Sequence, residues 1–129
     1  MAIYSLGPVV NLNPDLTFHS RSVELRISNT TAARLEPIVV NVYSNVAAGP
    51  EGSPAVLYFT TTFAIAAADG VVTFNIPTTV QSFIITVSSP AAATFINDIS
   101  IYAAGRDAAG LLVPDHAFPF GDWNFVTTP

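Results

Sequence analysis

The sequence predicts an all-β fold: a single jelly-roll-like antiparallel sandwich of about eight strands with an extended N-terminal arm. Three observations predict it. Short runs rich in Val, Ile, Phe and Thr alternate apolar and polar residues with a period of two, the period of a half-buried strand. Gly, Pro and Asn interrupt these runs at intervals of roughly ten residues, the spacing of sandwiches and jelly rolls. Helix propensity is confined to Ala64–Ala68 and Ala91–Ala93, which are too short to stand as helices. The expected division is an arm over residues 1–14 and a sandwich domain over residues 15–129.

The arm comes first, with Ile3, Tyr4, Leu6, Val9, Val10 and Leu12 set between Gly7-Pro8 and Asn13-Pro14 and no charge along its length. Val23, Leu25 and Ile27 then alternate with Glu24, Arg26 and Ser28, a strand with one face in the core and one in water. Ile38, Val40 and Val42 follow, opposed by Val39, Asn41 and Tyr43. The stretch from Val46 to Pro54 contains Gly49-Pro50-Glu51-Gly52 and reads as a surface loop. Val56 to Ile65 includes the Thr60-Thr61-Thr62 run and is strong β material. Asp69-Gly70 marks a turn. Val72, Phe74 and Ile76 lead to Pro77, and Phe83, Ile85 and Val87 lead to Pro90, each proline closing a strand. A run from Phe95 through Ile99 and Ile101 to Ala103, the loop Gly105–Gly110 and the segment Leu111–Val113 form an expected hairpin. The tail from Pro114 is aromatic and is expected to supply a last strand or a plug on the core.

With 129 residues there is material for one domain. Only 10% of residues are charged, against roughly 25% in ordinary soluble domains, so Thr, Ser, Asn and Ala must build most of the surface. The net charge is −5 and no basic cluster exists, which argues against a nucleic-acid or anionic-membrane partner. Cysteine is absent, excluding disulfides, thiolate metal sites and thiol catalysis. Lysine is absent as well, which removes Schiff-base chemistry and Lys-to-Asn isopeptide cross-links, so any assembly must be non-covalent. The N-terminal residues lack a positive stretch followed by an apolar run, so no secretory signal is expected there, and no run is long enough for a membrane helix.

Three features bear on function. Extended, the arm would reach about 45 Å at ~3.3 Å per residue, farther than the core of a domain with a radius of gyration near ~13 Å. It can serve as a subunit-interface segment through Ile3, Tyr4, Leu6, Val9, Val10 and Leu12, or else form the first strand of its own sandwich. Edge protection is the second feature: from Pro37 to Asn97 the only charges are Glu51 and Asp69, both in loop or turn context, so strands there have little to prevent pairing with other chains. The aromatic tail is the third. Phe118, Phe120, Trp123 and Phe125 beside Asp115-His116 and Asp122 are candidates for a sugar platform or an interface, or else cap the core.

Catalytic and metal readings find little support. His19 and His116 are far apart in the chain with no ligand spacing and read as loop or surface residues. No G-x-S-x-G elbow or Ser/His/Asp set stands out, and Asp98, Asp107, Asp115 and Asp122 lack the clustered spacing of a calcium loop. The chain is therefore expected not to be an enzyme and to need no metal or cofactor. Asn29-Thr30-Thr31 matches a glycosylation sequon, a pattern common by chance.

Two stretches carry a family likeness. Leu6-Gly7-Pro8-Val9-Val10-Asn11-Leu12-Asn13-Pro14 leading into Ser20-Arg21-Ser22-Val23-Glu24, and Ile101-Tyr102-Ala103-Ala104-Gly105-Arg106-Asp107-Ala108-Ala109-Gly110-Leu111-Leu112-Val113, resemble small β-proteins of spore-forming Firmicutes. Those proteins are similar in size and style to exosporium and endospore-appendage fibre subunits. The resemblance implies a jelly roll whose arm, Ile3 to Leu12, enters the adjacent subunit. It covers the two ends of the chain better than the middle, and the cysteines that crosslink the appendage subunits are missing.

The expectation is thus a self-assembling homopolymer at an extracellular or spore surface, joined by strand donation between copies. A carbohydrate- or receptor-binding module, with a glycan or another surface protein as partner, and a viral or phage capsid or decoration protein are the alternatives. Under the fibre reading, a chain lacking residues 1–14 would fold without polymerising.

Overall fold

The computed structural model describes residues 2–31, 33–45, 55–67, 70–90 and 99–127, without the side chains of Ala2, Val126 and Thr127. The 46–54 loop, Asp69, the Ala91–Ala93 cluster and the run from Phe95 to Asp98 lie outside the described residues. Nine strands are seen among the described residues: β1 (Ala2–Val10), β2 (Ser22–Asn29), β3 (Leu35–Ser44), β4 (Val56–Ile65), β5 (Val71–Pro77), β6 (Ser82–Ser89), β7 (Ile99–Arg106), β8 (Leu112–Phe118) and β9 (Asn124–Thr127). A single 3₁₀ turn, Phe120–Asp122, precedes β9.

The strands form two antiparallel sheets packed face to face, ordered β4-β3-β6-β1-β9 and β5-β2-β7-β8. Only β3–β4 and β7–β8 are sequential neighbours within a sheet, and the other connections up to β7 cross between sheets. That connectivity is jelly-roll-like, with β8 lying beside β7 at the edge of the smaller sheet.

The alternating residues named above meet between the sheets. Val23, Leu25 and Ile27 from one sheet and Ile38, Val40, Val42, Phe83, Ile85 and Val87 from the other are fully buried. Burying these β-branched, leucine and phenylalanine side chains supplies roughly 1.5–3 kcal/mol each before chain entropy is counted. Two asparagines tie the connections at opposite ends. Asn29 donates from Nδ2 to the carbonyls of Ala33, Ile65 and Ala66 and accepts from the Thr31 N–H and hydroxyl. The Asn29-Thr30-Thr31 sequence is thus an Asx turn with a buried amide, not an exposed glycan acceptor.

Segment 1–14 is placed differently from a free arm. Over Ala2–Val10 it is strand β1, between β6 and β9 of its own sheet. Tyr4 and Leu6 explain the position, because they face inward opposite Val87 and Ile85 and are buried. The register slips between Leu6 and Val9, where Gly7 has φ +110° and a side chain would strike the Phe83 carbonyl. Only glycine meets both demands. Pro114 does not end the hairpin either: β8 runs through it, tolerated because β8 is an edge strand with no ladder to supply on its outer side.

Candidate assembly interface

The arm is anchored at its far end by Asn11. Its Nδ2 donates to the carbonyls of Ser20, Thr78 and Val80, and its Oδ1 accepts the Ser20 N–H at 2.7 Å, in a fully buried position. These bonds satisfy chain groups of the β1–β2 and β5–β6 connections and tie the two together. Beyond Asn11 the chain doubles back through a tight turn in which the Leu16 N–H donates to the Asn13 carbonyl and the Asn13 N–H to that of Thr17. Leu12 bridges Phe18 across this turn. Leu16 sits at its tip with φ +68° and its side chain in water. A non-glycine residue there stores about 1–2 kcal/mol of backbone strain.

The two histidines are brought together by the fold. Their rings lie edge to face at 4.6 Å, and the His19 Nε2 is 3.7 Å from an oxygen of Asp115. His116 is buried on β8, contrary to a surface placement. Its Nε2 faces the Val10 carbonyl at 3.2 Å, which can only accept, so Nε2 carries the proton and Nδ1 accepts from the Ser20 hydroxyl at 2.5 Å. Burial, and then the neighbouring His19, hold the His116 pKa below its usual value and favour this neutral ring. Ser20 is fully buried, so its hydroxyl is not presented to solvent. The pair ties β8 to the end of β1 and the entrance of β2. Gly105 makes room for it, since a side chain there would meet both Ser20 and His116.

The aromatic tail faces inward. Trp123 is only 7% exposed and belongs to the core, with its Nε1 donating to the Phe118 carbonyl. Tyr4 of β1 packs against Phe120 and Phe125 at ring separations of 5.5 and 5.1 Å. Phe118 stacks obliquely on His116. The tail is thus the plug on the core and does not line up its rings as an open platform. Two shallow grooves of about 390 and 380 Å³ flank Val10 and Leu12, one bordered by His19, Asp115 and His116, the other by Pro8, Gln81 and Asn45. No group of three or more potential ligands for a metal occurs among the described residues.

Comparison with protein families, curated proteins and solved structures finds no match. The surface itself is therefore the guide. Each lateral side of the sandwich exposes two edge strands, β4 and β5 on one side and β9 and β8 on the other. The second side is guarded: β8 carries Pro114 and the exposed Asp115, and β9 has four residues. The first side is open among the described residues. β4 offers ten residues, Val-Leu-Tyr-Phe-Thr-Thr-Thr-Phe-Ala-Ile, with no charge and no proline, and β5 is uncharged up to its final Pro77. Val56, Leu57 and Val71 are exposed along this side. Tyr58 reaches across it to donate to the Pro77 carbonyl at 2.8 Å, and burial pushes its hydroxyl pKa up to about 12.

Charge is divided between the sheets in the same way. Among the described residues the strands of the five-stranded sheet hold one charged side chain, Glu36, which pairs with Arg34 at 3.0 Å. The smaller sheet carries Glu24, Arg26, Arg106 and Asp115. Glu24 is gripped by Arg106 at 2.6 Å, which lowers its pKa. Sequence reasoning found the uncharged middle of the chain but not Asn11, Asn29 or the Ser20–His116 tie. An isolated buried asparagine leaves no periodic signal, although Asn29-Thr30-Thr31 has the spacing of an Asx turn.

Proposed function

We propose that the protein is a self-assembling structural subunit that joins copies of itself non-covalently by β-strand addition. The carrying observation is the asymmetry of its edges: one lateral side is blocked by a proline, a carboxylate and a very short strand, and the other is long and uncharged. Natural sheets that remain solitary protect such edges, and among the described residues nothing guards this one. Light scattering and negative-stain imaging test the reading across a concentration series. Association that grows with concentration and is lost in Thr62→Lys, which puts a charge on the exposed face of β4, supports it. A monomer at every concentration refutes it.

Exchange of β1 between copies is a second route, favoured by the strained turn at Leu16. A neighbour's β1 would fill the slot between β6 and β9 with the contacts it now makes in its own chain, while the turn over residues 12–19 straightened into a hinge. Head-to-tail exchange of this kind yields fibres. The resemblance of residues 6–14 with 20–24, and of 101–113, to small β-proteins of spore-forming Firmicutes, themselves similar in size and style to appendage subunits, extends the proposal to an extracellular or spore-surface fibre, tested by immunogold labelling of intact spores.

A further inference from the structure

The open side lends itself to one specific partner, a second copy of the same side. Resting on the self-assembly reading above, we propose that two copies pair β4 to β4 antiparallel about a two-fold axis through Thr61, merging their five-stranded sheets into one of ten strands.

The choice of partner strand follows from the edges available. β8 interrupts its free edge at Pro114, which has no N–H to give, and projects Asp115 beside it. β9 offers four residues and β5 seven, the last of them Pro77. Only β4 matches β4 over ten residues without a charge, and an identical strand meeting itself antiparallel makes a closed, self-complementary contact.

The faces of β4 restrict the register. Phe59, Thr61 and Phe63 lie opposite Val42, Val40 and Ile38 of β3, whose side chains are buried between the sheets. Phe59 and Phe63 both contact Phe74 of β5, at ring separations of 6.4 and 5.5 Å. Thr60 and Thr62 point outward, and the Thr60 hydroxyl donates to Asn41 Oδ1 at 2.7 Å. Residues directly opposed in an antiparallel pair share a face. For the interiors of the two sandwiches to join, inward residues must oppose inward residues, so the axis passes through a residue and not between two. With the axis at Thr61, Phe59 opposes Phe63 of the mate and Thr60 opposes Thr62. Moving it to Thr60 sets Phe59 against Thr61 and brings Tyr58, where the β3–β4 register slips, into the pairing. Aromatic and threonine pairs are among the favourable cross-strand combinations, which selects Thr61.

The half-buried rings of Phe59 and Phe63 would be covered in this arrangement. A ten-residue strand is about 34 Å long and two packed sheets are ~15 Å deep with their backbones. The contact then buries on the order of 1,000 Å² in total, the lower bound for a specific interface.

Because the chain has no cysteine, introduced cysteines report the register directly. Thr60→Cys and Thr62→Cys chains are purified separately and oxidised alone and as a mixture. Direct neighbours lie about 5 Å apart and diagonal ones ~7–8 Å, beyond the span of a disulfide. The expected result is a disulfide dimer in the mixture and none from either variant alone, with Thr61→Cys forming a dimer by itself. Dimers from the separate Thr60→Cys or Thr62→Cys chains, or no crosslink in a mixture that light scattering shows to be associated, overturn this pairing and leave self-assembly standing. A mixture that is monomeric by light scattering overturns both. Circular dichroism of each variant confirms that the strands are intact.

Discussion

Single side chains hold this sandwich at points where its connections would otherwise be loose. Asn11→Ala takes their Asn11 partner from the buried Thr78 carbonyl, the half-buried Val80 carbonyl and the Ser20 N–H, while the Ser20 carbonyl keeps the Thr78 hydroxyl, so a loss of about 3 kcal/mol is expected in urea unfolding. Gly105→Ala should cost roughly 1–3 kcal/mol, because the new methyl has to displace the Ser20–His116 tie. His116 gives that tie a pH dependence. Its folded pKa lies below the unfolded value of 6.5, so the unfolded chain takes up the proton first as pH falls. Stability is therefore at its full level above pH 6.5 and declines below it until the folded ring is itself protonated. Melting temperatures measured from neutral to mildly acidic pH should fall, and His116→Gln should flatten that part of the curve. Further acidification weakens the grip of Arg106 on Glu24, whose lowered pKa places its loss below 4.5.

Among the elements, β9 depends on β1. β9 pairs with no strand but β1, and β1 supplies Tyr4 and Leu6 to the core. With residues 2–10 built into the sheet, the expectation that a chain lacking residues 1–14 folds is replaced: deleting residues 2–10 should leave a chain that does not fold alone, measured as lost β-sheet circular dichroism. Adding a peptide of residues 2–12 in trans should restore the signal if the slot accepts a strand from outside. Most elements were legible in the sequence for a plain reason. Val23, Leu25 and Ile27, and Phe83, Ile85 and Val87, alternate without interruption, and Gly70, Pro77 and Pro90 fall at strand ends, although Pro37 lies inside β3. The reading was weaker where tertiary context decides. Whether Tyr4 and Leu6 fill their own core or a neighbour's cannot be told from a short apolar segment, since the same residues suit both. The expected hairpin segment reaches only Val113, because local chemistry does not reveal that β8 lies at a sheet edge where Pro114 is tolerated. Trp123 beside Asp122 suggested a ligand platform, and only packing against the core, with Tyr4 between Phe120 and Phe125, assigns these rings to the interior.

At the scale of the whole molecule, polarity is arranged by side. Most strand charge resides on the smaller sheet, while among the described residues the strands of the larger sheet carry only Glu36, paired with Arg34, and the β4 edge carries none. Association through such a surface should be insensitive to salt, because few screened charge pairs are involved. Sedimentation at low and high ionic strength checks this: unchanged association fits pairing through the neutral edge, and a strong salt dependence points to the smaller sheet.

The register of β1 with β9 sets Ala2 beside Thr127, so the first and last of the described residues are neighbours. Joining them with a brief peptide loop would turn the molecule into a ring without disturbing either sheet. A ring has no loose leader to lend to another copy, yet its β4 flank stays bare. Whether such a circular form still builds assemblies would tell the two routes apart in one preparation.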